Sequence, residues 1–143
     1  MLKQGTSSLA AVRAKAARDN RWYPNQIAEM ATLYKIVPTA LWRAAEGDGV
    51  CRGSEVDLRD GFIHFSAAGQ VAETAAKHFA GASDLLLVSV DSGKLGDALK
   101  WEPSRGGALF PHLYGPLPLA AVVKVEPLPL GADGRHRFPP LDL

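Results

Sequence analysis

Three observations predict an α+β fold: a small, mixed and mostly antiparallel sheet with two or three short helices. First, 143 residues make one ordinary domain, large enough to bury a core without disulfides or metal. Second, 47% apolar and 22% charged residues match a folded globular domain, which excludes a mainly disordered or coiled-coil chain. Third, strand-like runs alternate with few and short helical stretches, too few to cover both faces of a doubly wound parallel sheet.

Residues 1–29 set Lys3, Arg13, Lys15, Arg18 and Arg21 against Asp19 and Glu29 and lean on Ala and Ser. They are expected to form a flexible extension, with Met30 an alternative start, and the domain proper to span 30–131. Leu33 to Val37 is an apolar run ended by Pro38, which has no N–H for a ladder, and reads as the first strand. Thr39 is placed to cap a helix on which Leu41, Trp42 and Ala45 share a face, with Gly47 where it would stop. Glu46 to Gly61 is a Gly- and Asp-rich loop with one helical turn at Ser54 to Leu58. From Phe62 to Ser66 the pattern has the two-residue period of a strand: Ile63 and Phe65 face one way, Phe62, His64 and Ser66 the other.

Ser66 then caps a helix to about Ala80, with Val71, Ala75, His78 and Phe79 on one face and Gly81 at its end. Asp84 to Asp91 is a continuous apolar strand, the pattern of one covered on both faces. A helical turn at Lys94 to Leu99, the segment WEPSRGGALFPHLYG and a last strand near Ala121 to Glu126 follow. Residues 132–143, with Pro139 and Pro140, are expected to be a loose tail.

Composition selects no partner. The net charge is +1, and residues 30–143 carry 11 basic and 13 acidic side chains with no basic stripe, which speaks against nucleic acid. No apolar run approaches the roughly 18 residues of a membrane span, and the amino end lacks the apolar stretch of a secretory signal. Cys51 is the single cysteine, so no internal disulfide forms and a reducing, cytoplasmic location is expected. Four histidines without zinc spacing imply no metal site. Phosphate-loop, dinucleotide-fold and nucleophile-elbow motifs are all missing.

Two constellations carry possible chemistry. In DGFIHFS, a strand anchored by Ile63 and Phe65 would hold His64 and Ser66 rigidly on its other face. The helix starting after Ser66 would offer free N–H groups to an anion past the small Ala67, Ala68 and Gly69. Against this stands the plain reading of Ser66 as a cap and His64 as a locally paired polar residue. The second constellation is Glu102 and Arg105, then His112 and Tyr114 on one side of an extended segment. Its plain alternative is a solvated Glu–Arg pair beside a tyrosine with its hydroxyl in water.

The order of motifs is LYKIV, LWRAAEG, GSEVDLRDGFIHFS, then Gln70 and HFAG, then WEPSRGGALFPHLYGPL. Over about Leu33 to Pro129 it resembles the bacterial domain of unknown function family 952. The resemblance implies a fold like the ADP-ribosyltransferase-like group, in which a histidine two residues before Ser or Thr lines an NAD cleft; His64 and Ser66 match that pattern. Phe65 stands where many such enzymes have glycine, and Glu102 follows His64 more closely than their catalytic glutamate does. The implied ligand is a small nucleotide-like molecule, NAD or a relative of it. His64, Ser66, Arg105, His112 and Tyr114 would bind it, with His64 and Glu102 the catalytic candidates if a transfer reaction occurs. A non-enzymatic protein-interaction domain is the alternative.

Overall fold

A computed structural model describes residues 31–141, the side chain of Arg105 excepted, so the expected extension 1–29 lies outside the described residues. The elements are β1 (Thr32–Pro38), α1 (Thr39–Asp48), β2 (Val50–Cys51), α2 (Glu55–Asp60), β3 (Ile63–His64), α3 (Val71–His78), β4 (Leu85–Asp91), β5 (Leu99–Pro103), β6 (Leu109–Leu113), β7 (Leu117–Pro118) and β8 (Val122–Pro127). Short 3-10 turns at Ser92–Lys94 and Gly96–Ala98 take the place of the helical turn expected at Lys94 to Leu99.

The class is α+β; among the described residues there are three short helices, and the strands form three small antiparallel sheets: β1-β4-β8, β2-β7 and β3-β6-β5. Proline at the last position of β1, β5, β7 and β8 removes a ladder donor and helps to keep the sheets short. β4 is the centre of the largest sheet, and its alternation divides the core. Leu86, Val88 and Val90 pack with Trp42, Ile63, Phe65 and Leu113 on one side. Leu85 and Leu87 pack with Tyr34, Ile36, Val71 and Leu128 on the other. That double burial is what its unbroken apolar run required.

Local signals shifted by a few residues. α1 runs one residue past Gly47, to Asp48, and is stopped by Gly49, whose φ of 83° is left-handed and whose N–H reaches Ala45 O at 2.9 Å. Thr39 does not cap it, because both its N–H and its hydroxyl donate to Asp84 O at 3.0 Å. The larger correction concerns Ser66. Its backbone exchanges two 2.8 Å hydrogen bonds with Tyr34 across the sheets, and the helix begins only at Val71, after a turn in which the Gln70 side chain accepts from Ala67 N–H at 2.9 Å. A residue held in a β-bridge cannot also begin a helix.

For the expected loose tail, residues 132–141 make these contacts. Gly131 N–H donates to Arg135 O at 2.7 Å and Arg137 N–H to Pro129 O at 2.8 Å, His136 Nε2 meets Ala82 O at 2.8 Å, and Phe138 and Leu141 pack against the α3 side of the core.

Candidate functional site

The site begins with a lysine inside a buried strand. In LYKIV, Leu33, Lys35 and Val37 share the β1 face turned toward the β3 sheet, and Lys35 is 8% exposed, so its charge needs a partner. Asp57 supplies it at 2.8 Å, and the ammonium also donates to His64 O at 2.9 Å. Asp57 is brought there by α2, a six-residue helix opened by a capping box with Ser54. Its carboxylate accepts four hydrogen bonds: Oδ2 from Lys35 and from Ser54 N–H at 2.9 Å, Oδ1 from His64 N–H at 3.1 Å and from His64 Nδ1 at 2.7 Å. Burial pushes this carboxyl up, but the His64 hydrogen bond and the Lys35 charge outweigh it and hold Asp57 well below the ordinary carboxylate range. The imidazole of His64 is thereby fixed, and its Nε2 lies 3.1 Å from Asp60 Oδ2.

A second carboxylate–histidine pair stands beside the first. His64 and His112 are register partners on β3 and β6, their ring centroids 5.4 Å apart, and Phe62 stacks on His112 at 4.1 Å. Glu102, opposite Phe110 on β5, accepts from His112 Nδ1 at 2.8 Å and from the Tyr114 hydroxyl at 2.7 Å. The His112 hydrogen bond, then that of Tyr114, holds Glu102 below the usual carboxylate range, and the same carboxylate raises the Tyr114 phenol. Glu102→Gln is therefore expected to lower the Tyr114 ionisation midpoint toward its ordinary value of 10.0, read by ultraviolet titration of the folded protein. An unchanged midpoint would show the contact to be absent in solution.

With its Nδ1 proton given to Glu102, His112 is 4% exposed and its Nε2 has no hydrogen-bond partner among the described residues. The ring lines a cleft of about 690 Å³, within the range of small-molecule sites. Its lining combines polar side chains, Asp60, His64, Ser66, Ser104 and His112 among them, with the apolar Ile36, Leu41, Phe65 and Phe79. The structure thus joins His64, Ser66 and His112 in one cleft, with Glu102 and Tyr114 directly behind His112. It does not place Glu102 or Tyr114 on the cleft lining, and the Arg105 side chain lies outside the described residues.

Ser66 caps no helix, so the anion seat expected there loses that premise. The Ser66 hydroxyl meets Thr74 Oγ1 at 2.8 Å, and Ala67 N–H is taken by Gln70. Lys35, Asp57 and Asp60 were missed, although two signals marked the first two. A charged residue in the middle of an apolar strand demands a buried partner, and Ser54 three residues before Asp57 is a helix-capping spacing that fixes where that carboxylate points. Among the described residues no group of three or more His, Cys, Asp or Glu side chains is arranged to hold a metal ion. None of their helices is long and apolar enough to cross a membrane.

Comparison with known proteins agrees with the sequence motifs. No curated protein matches the chain significantly. The crystal structure of protein CC0527 from Caulobacter crescentus is 52% identical, with a TM-score of 0.72 over 74% of this chain and 93% of that one. The solution structure of CC0527 is 53% identical, with a TM-score of 0.67 over 74% and 91%. Residues 36–125, which contain β1 from Ile36 through most of β8 and hence both carboxylate–histidine pairs apart from Lys35, match a family model, and the chain belongs to that family, described as "Protein of unknown function (DUF952)".

Proposed function

We propose that the cleft binds a nucleotide or an NAD-like phosphorylated metabolite, in the manner of a relative of the ADP-ribosyl- or phosphotransferases. The observation that carries this is the His64 imidazole, locked by the buried Asp57 carboxylate in a cleft lined by both polar and apolar side chains. Such a cleft suits a molecule with a flat ring and a polyhydroxylated or charged remainder. Ile36, Phe65 and Phe79 take the ring, while His64, His112 and Ser66 take the polar part. Glu102 acts through His112, which it orients, rather than on the ligand.

Calorimetric titration with NAD, ADP-ribose and AMP tests the reading. At least one is expected to bind, and His64→Ala is expected to weaken it about tenfold or more, the effect of one hydrogen bond to a charged group. His64 is half-buried and its neighbours Ile63 and Phe65 keep the strand anchored, so the variant should fold. Binding unchanged in His64→Ala would move the site elsewhere. No heat from any of the three at millimolar concentration would favour a protein-interaction domain instead, a reading supported by the exposed Val56, Leu58 and Leu109.

A further inference from the structure

We infer that Asp60 is an internal stand-in for an oxyanion of the ligand, seated on the His64 imidazole until the ligand displaces it; this rests on the cleft being the ligand site. Both ring nitrogens of His64 face carboxylates, Nδ1 that of Asp57 at 2.7 Å and Nε2 that of Asp60 at 3.1 Å. Nδ1 is hydrogen-bonded to Asp57, and a second ring proton on Nε2 pairs the imidazolium with Asp60 as well, setting it between two anions. The surrounding charges sort themselves accordingly. With the ring protonated, Lys35 from β1 and His64 are two cations sharing the single anion Asp57, and the second anion is Asp60. Take Asp60 away and one positive charge is left facing the cleft, with Arg59 beside it. The other ionisable side chains lining the cleft are Tyr34 on β1, Glu55 on α2, His78 on α3 and His112 on β6.

The two carboxylates differ in how firmly they are held. The Asp57 side chain is 2% exposed and accepts four hydrogen bonds, so it is part of the framework. The Asp60 side chain is 34% exposed, and its one other described contact is the exposed neighbour Arg59, whose Nε lies 3.3 Å from Oδ1. It is the last residue of the six-residue α2 and is followed by Gly61, whose φ of 87° only glycine adopts readily. Asp60 can swing out at this joint while Asp57 keeps the ring aimed. Its departure also frees the Arg59 guanidinium, which lines the same cleft, as a second donor to an incoming oxyanion such as a phosphate.

The test compares the full chain with Asp60→Asn, which removes the charge and keeps the shape, and with Asp60→Ala, using inorganic phosphate, AMP and adenosine as probes. Both variants are expected to bind phosphate and AMP about fivefold more tightly than the wild type, the scale of a partly exposed ion pair, with adenosine unchanged. A residue that contacted the ligand would give the opposite sign. If the wild type binds AMP and neither variant gains, the stand-in role is overturned and the cleft remains the ligand site. If AMP and adenosine bind equally and phosphate binds to no form, the ligand meets His64 without an oxyanion and the inference alone fails. If no probe binds any form, the inference fails, and the proposed function is decided by NAD and ADP-ribose. A readout without ligand is the His64 Nε2–H proton resonance, expected to be slowed in exchange in the wild type and lost in Asp60→Ala; its absence from the wild type would overturn the contact itself.

Discussion

Asp57→Ala is expected to cost about 3–5 kcal/mol of folding stability, the range for removing one partner of a buried ion pair. Lys35 would be left 8% exposed with its charge unpaired, and the N–H groups of Ser54 and His64 would lose their acceptor. Those backbone bonds distinguish this pair from buried ion pairs that apolar residues replace without loss. Lys35→Met with Asp57→Leu removes both charges but also the acceptor of His64 N–H and the donor to His64 O, so it should recover only part of the cost. Urea unfolding of the wild type and the two variants measures this; a loss below about 1 kcal/mol for Asp57→Ala would mean that the four hydrogen bonds do not persist in solution.

The same carboxylate sets a pH dependence whose sign is fixed. Although burial raises it, His64 and Lys35 bring the folded-state value of Asp57 below the unfolded value of 3.8. A group depressed in this way stabilises the fold fully above the unfolded value and loses its contribution as pH falls toward the folded one. Wild-type stability should therefore decline below about pH 4 more steeply than that of Asp57→Ala, in which this contribution is already gone.

The residues that were legible in the sequence are those whose signal is local. β1 and β4 could be read from apolar runs, α1 from three residues on one face, and His64 from a strand pattern only five residues long. The error at Ser66 has a physical origin: Ser before Ala-Ala-Gly-Gln satisfies every local rule for a cap, but its backbone is claimed by Tyr34, 32 residues earlier in the chain, in the bridge between sheets. No propensity scale contains that competition. Glu102 was legible as one of a cluster, and its distance from the cleft was not. Its place depends on the pairing of β5 with β6, which turns its carboxylate toward His112 and Tyr114. Lys35 lay in plain sight, a charge in an apolar strand, and required only the question of what neutralises it.

His112 offers the sharpest separation of stability from function. It is 4% exposed and lines the cleft, one nitrogen is satisfied by Glu102, and the other has no partner among the described residues, an arrangement that fold stability does not ask for. His112→Leu replaces the ring by an apolar side chain of similar size between Phe62 and the strand. Glu102, 34% exposed, keeps Tyr114 and gains water in place of the lost donor. Stability is expected to change by less than about 1.5 kcal/mol, as in a volume-conserving core exchange. Ligand affinity is expected to fall about 10- to 100-fold, because the ligand group that met Nε2 would face a methyl group and lose its hydrogen bond on leaving water. This combination, a fold kept and a ligand lost, marks a residue retained for binding rather than packing. Unfolding curves and AMP titration of the same variant decide it. A large loss of stability would make His112 a structural residue held by Phe62 and Glu102, whereas unchanged affinity with the fold intact would remove His112 from the ligand-binding wall.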